Sequence, residues 1–133
     1  KVTIYSTSPE MSRKAMVYYL DMSFGDREGL ITSKNPETCT PEQAAFFKEL
    51  FTGADYKENY AILNNYVKSL GDSIPPFIHL YIGLSPTMKT FGTTFDPDFG
   101  DCYDTAMIIT TDDIYPDKYK RYVESYEKCK VRK

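Results

Sequence analysis

The stretch TPEQAAFFKELF, residues 40–51, constrains the fold more than any other part of the chain. Thr40 followed three residues later by Gln43 is the reciprocal capping pattern of a helix start. Pro41 falls at the first helical position, where its missing N–H costs nothing. A second helical pattern runs over 57–70, with Tyr60, Leu63, Tyr66, Val67 and Leu70 on one face. Gly53 and Gly71 end the two segments. The short connection predicts an antiparallel helical hairpin, whose apolar seam must pack against another layer.

That layer has to come from the flanks. Residues 1–8, KVTIYSTS, alternate Val2 and Ile4 with Thr3 and Tyr5, a strand pattern. Ser8 then reads as an N-cap with Pro9 at the first helical position, and Met11, Ala15, Tyr18, Tyr19 and Met22 form a helical stripe that closes at Gly25. Residues 29–33 read as a short strand. Residues 73–84, SIPPFIHLYIGL, read as a strand led in by two prolines, and residues 105–111, TAMIITT, as another. Pro116 opens a last helix with Tyr119, Tyr122, Val123 and Tyr126 as its core-facing stripe.

The expected fold is therefore α+β. It is a single globular domain over 1–133, with a small sheet packed against the helical hairpin and the N- and C-terminal helices. The order of elements also resembles the thioredoxin-like plan, in which a proline precedes the third strand. That resemblance implies a thioredoxin-like α/β fold as the alternative. It implies no activity, because Ser6, Thr7, Ser8 and Pro9 stand where that family places its redox cysteine pair.

Charge and composition narrow the function classes. The net charge is −3, but residues 116–133 hold seven basic and three acidic side chains, while 72–115 hold Lys89 against seven aspartates. A basic tail on an acidic body repels nucleic acid over most of its surface, so no nucleic-acid partner is expected. No apolar run approaches the roughly 20 residues of a membrane span. Twelve Tyr and eight Phe with no Trp favour half-wet contact surfaces. The chain begins at Lys1 rather than Met and carries three cysteines, which points to a secreted, extracellular product. An odd count implies one internal bridge plus a spare thiol, with Cys129 placed to pair with Cys102 or with another subunit of a homodimer.

Three constellations compete for a role. Asp96, Asp98, Asp101 and Asp104 crowd around Pro97 and Gly100. Turn chemistry is the leading account of them and a Ca²⁺ site the second, although no glutamate closes the loop as in an EF-hand. Residues 85–104 read as a long loop, or as a segment with a strand at MKTFGTTF, in which Phe91, Phe95 and Phe99 recur four apart. They either pin that loop to the core, the favoured account, or join His79 in an aromatic binding surface. Cys39, just ahead of a helix start, and His79, the lone histidine, are the candidates for catalysis.

No nucleophile elbow, zinc-binding helix motif or glycine-rich phosphate loop is present. The leading functional expectation is thus a secreted, non-enzymatic protein that binds a protein or small apolar ligand through an aromatic-rich surface or pocket. A small α/β enzyme using Cys39 or His79 is the alternative, and a Ca²⁺-stabilised interaction module the third.

Overall fold

Strands β1 (Val2–Ile4), β2 (Lys89–Asp96) and β3 (Cys102–Ile108) form one antiparallel sheet in the order β1-β3-β2 in the computed structural model, which describes residues 1–131. Val2 and Ile4 point into the core while Thr3 faces outward, as their alternation predicts. Helix α1 (Glu10–Phe24) lies on β2 and buries Ala15, Met16, Tyr19 and Leu20. Its start differs from expectation: Pro9 occupies the N-cap position, and no side chain caps the helix. Met22, expected on the buried face, sits at the rim.

Helix α2 (Pro41–Leu50) has the expected capping box. The Gln43 amide donates to Thr40 Oγ1 at 3.2 Å, and the Thr40 amide donates to Gln43 Oε1 at 3.0 Å. Thr40→Ala removes one of these partners from an exposed cap and is expected to cost about 1 kcal/mol, read from the urea midpoint. Helix α3 (Tyr56–Ser69) is capped by Asp55, whose carboxylate accepts from the Glu58 amide at 2.9 Å. Leu63 and Val67 are its buried residues of the expected stripe. The rings of Phe46 and Phe47 on α2 meet Tyr66 on α3, and both helices also pack on α1.

Four local expectations need correction. Residues 73–84 are not a strand: they contain helix α4 (Pro76–Ile82), with Pro76 in its first turn and Ile78 and Ile82 buried one turn apart. An apolar run of this length suits either geometry, and prolines at a helix start decide it here. Pro75 and Pro76 therefore open a helix and not a third strand, which removes the thioredoxin-like alternative. Residues 85–104 are mostly ordered sheet, since β2 occupies their middle and β3 begins at Cys102. The turn between these strands needs left-handed backbone at Gly100 (φ 71°) and Asp101 (φ 52°). Residues 29–33 form no strand, and Leu30 and Ile31 are exposed.

The fourth correction concerns the last helix. Helix α5 (Pro116–Tyr119) passes through a π-helical turn (Lys120–Glu124) into α6 (Ser125–Val131), and none of the three segments contains a buried residue. The wider turn shifts the phase of a stripe laid out for an α-helix, and the Ser125 hydroxyl donates to the Arg121 carbonyl there. Tyr122 and Tyr126 are exposed. Arg132 and Lys133, the end of the basic segment, lie outside the described residues.

Candidate functional site

The β2–β3 pairing is interrupted where Thr90 pairs with Met107 and Thr93 with Thr105, so Phe91 and Gly92 together face Ala106. This is a β-bulge, a device that bends a strand and re-aims its side chains. Gly92 supplies the left-handed conformation it needs, with φ at 82°. On the outer side of β2, the Asp26 amide donates to the Thr90 carbonyl and the Glu37 amide to the Thr93 carbonyl, both at 2.8 Å. The segments 25–26 and 35–37 thus grip β2 on either side of the bulge.

A cavity of about 320 Å³ opens at this point between α1, the 36–39 segment and the bulged strands. Val17, Tyr18 and Leu20 give it an apolar wall, and Thr90, Thr93 and Thr105 a floor of threonines. The Thr90 hydroxyl donates to the Leu20 carbonyl at 3.2 Å. Thr93 and Thr105, both fully buried, hold their hydroxyl oxygens 2.7 Å apart. Asp21 stands at the rim, with Arg27 3.6 Å from its carboxylate.

Glu37 joins this cavity to an ion cluster. One of its oxygens lies 2.7 Å from Lys14 Nζ and 3.2 Å from Arg13 Nε, and all three side chains are about nine-tenths buried. Lys14 also donates to the Thr38 carbonyl, and the Arg13 guanidinium lies 4.2 Å from the centre of the Tyr103 ring. Two cations share one carboxylate, so the wall behind Glu37 carries an excess of positive charge.

Of the residues that the sequence singles out, Cys39 alone lines this cavity. Burial pushes its thiol above the ordinary range, even with the Lys14 charge acting the other way. That favours the thiol over a reactive thiolate. His79 is exposed on α4, its ring 5.3 Å from that of Tyr60. It lines a separate, mostly apolar cavity of about 270 Å³ with Tyr56, Lys57, Ile82 and Gly83. Cys39 and His79 therefore do not share a cavity.

Phe91, Phe95 and Phe99 line neither cavity. Phe95 is half-buried against Tyr103, with ring centroids 5.0 Å apart, whereas Phe99 is exposed with Lys1 Nζ 5.2 Å from its ring centre. Phe91 is half-buried, and neither it nor Phe95 packs against the core cluster.

The aspartates disperse. Asp96 accepts from the Asp98 amide at 3.1 Å, an Asx turn. Asp104 accepts from Lys1 Nζ and Thr3 Oγ1, each at 2.6 Å. Burial alone would raise the Asp104 carboxyl, but these hydrogen bonds outweigh it and hold it below the ordinary range. Among the described residues, no three His, Cys, Asp or Glu side chains converge as metal ligands.

The Cys102–Cys129 bridge is not formed. Both are free thiols: Cys102 is buried at the head of β3 with its sulfur 3.6 Å from the Gly100 carbonyl, and Cys129 is exposed on α6. No helix among the described residues is long and apolar enough to cross a membrane.

Sequence reasoning missed Asp21, Glu37 and the threonine floor. The one signal for them was Gly92, a glycine inside an alternating run, which marks a bulge or a close backbone approach.

The chain is similar to two curated bacterial proteins named glycine N(alpha)-acyltransferase. One, from Phocaeicola vulgatus, is 38% identical over 128 residues, which cover 96% of this chain and 39% of the relative. The other, from Bacteroides thetaiotaomicron, is 38% identical over 129 residues, covering 95% of this chain and 37% of the relative. The chain spans about two fifths of the length of these relatives. No family model and no solved structure matches it. Relatives named as enzymes overturn the expectation of a secreted, non-enzymatic binding protein and side with the enzyme alternative. The free state of Cys102 and Cys129 removes the bridge on which the secreted reading partly leaned.

Proposed function

We propose that this chain takes part in acyl transfer to the amino group of glycine or a comparably small amino acid, at the cavity beside the β2 bulge. The observation that carries the reading is 38% identity to two glycine N(alpha)-acyltransferases along nearly the whole chain. In such a reaction the amine nitrogen forms a bond to the carbonyl carbon of an activated acyl donor. The bond from that carbon to the leaving group breaks, and one proton leaves the nitrogen. A carboxylate within reach of the amine is the natural acceptor of that proton.

Two carboxylates line the cavity, and their surroundings divide the work. Glu37 is held by Arg13 and Lys14, so its charge is already committed. Asp21, largely exposed and only loosely approached by Arg27, is the better placed proton acceptor.

The test is to incubate the protein with glycine and a synthetic acyl thioester and to follow N-acylglycine by mass spectrometry. Product should form well above the protein-free rate, and Asp21→Asn should lower turnover about a hundredfold while the fold is retained. A wild-type rate equal to the protein-free rate would sink the reading.

A further inference from the structure

The Thr93–Thr105 pair on the cavity floor carries a hydrogen that the protein leaves unused. Two hydroxyls hold two hydrogens between them, and the single bond that joins them, at 2.7 Å, consumes one. Neither oxygen has another hydrogen-bond partner among the described residues, although both residues are at most 2% exposed and both line the cavity. Thr90 is different, because its hydroxyl is committed to the Leu20 carbonyl. The register places the pair directly opposite each other beside the bulge, so both side chains leave the sheet on the same face.

We infer that the Thr93–Thr105 hydroxyl pair is a hydrogen-bond donor for the substrate's carbonyl oxygen. It would orient the acyl group and stabilise the negative charge that develops on that oxygen as the amine adds. A donor fixed in a dry wall is worth most where charge develops, since it needs no reorganisation. The pair also explains how one site can keep a donor buried without penalty. When no substrate is bound, each oxygen still has the other as partner. The inference deepens the acyl-transfer reading and rests on it for the identity of the carbonyl.

The pair predicts a distinctive mutational pattern. In Thr93→Val or Thr105→Val the remaining hydroxyl loses its partner, yet it still has one hydrogen to donate to a ligand. In T93V/T105V no donor remains, but no polar group is stranded either, and replacing both partners by apolar groups of the same shape is close to neutral for stability. A purely structural pair gives the opposite ranking, with the single variants the more impaired.

The experiment is an NMR titration with N-acetylglycine, which carries the carbonyl without requiring turnover, alongside a thermal melt of each variant. Wild type should bind with shifts at the Thr93 and Thr105 methyl groups. The double variant should bind about fivefold more weakly at an unchanged melting midpoint, with each single variant between the two. Equal affinity of wild type and double variant, or no shifts at these methyls in the wild type, overturns the inference. Glycine acylation together with either of those results removes the donor and leaves the acyl-transfer reading standing. Donor-dependent binding without acylation does the reverse.

Discussion

Phe47→Ala is expected to cost about 4 kcal/mol of stability and to lower the melting midpoint by more than about 10 °C. Phe47 is fully buried, and four other rings surround it: Tyr18 and Phe46 at 5.5 Å, Tyr66 at 6.2 Å and Phe51 at 6.4 Å between centroids. Those rings come from α1, from α2 and its end, and from α3, so the residue is where three helices meet. Truncation removes a large apolar surface and leaves a hole that stiff neighbouring rings cannot collapse to fill. Against a total stability of about 5–15 kcal/mol for a domain, that is a severe loss. Phe46, its neighbour in sequence, is nearly half exposed, and Phe46→Ala should cost well under half as much. Calorimetry on the two variants decides the point. Similar losses would show that the helical layer is not centred on Phe47.

The second large effect is electrostatic. Glu37→Gln should destabilise the protein by about 3 kcal/mol, because it strands Lys14 and Arg13 with no anion in a mostly buried site. The stabilising contribution of the intact cluster is a different quantity and is smaller, since all three groups gave up hydration to enter it. The comparison that separates the two is K14M/E37Q, in which the stem of Lys14 is replaced by a side chain of similar shape and the positive excess falls. This double variant should recover more than half of the loss, a coupling expected only for groups in direct contact. Urea unfolding measures both. A single-variant loss below about 1 kcal/mol would mean that water screens the cluster as it does a surface pair.

The helices show what a sequence can disclose by itself. Thr40, Pro41 and Gln43 determine the start of α2 through bonds reaching only three residues along the chain, so nothing distant can override them. The α+β class followed from such local signals. Residues 76–82 were misread because an apolar run carries no periodicity, and the choice between strand and helix fell to Pro76 and to the partners of Ile78 and Ile82. The stripe of the last helix predicts a surface to pack on, and none of α5, the π-helical turn and α6 contains a buried residue.

The candidate site was almost illegible. Val17 to Asp21, Pro36 to Cys39, Thr90 to Thr93 and Thr105 become neighbours only through the fold. Threonine in a strand is also what any sheet contains, so the threonine floor had no signature. The residues that looked chemical were crowded in sequence, as the aspartates of 96–104 are, and the fold spreads them among a turn, a strand and an ion pair with Lys1. Crowding along a chain is a poor guide to convergence in space.

The sheet order carries a consequence for how the protein is made. Among the described residues β1 pairs only with β3, Val2 opposite Thr105, so the strand that precedes these helices has no partner until a hundred residues later. At a synthesis rate of about 5–20 residues per second, Val2 and Ile4 wait about 5–20 s before their sheet exists. The helices can form within microseconds of leaving the ribosome, but the layer they must cover is completed only by non-local strand pairing, which is slower. During that interval an apolar edge is open to other chains, and the time at risk is set by the translation rate.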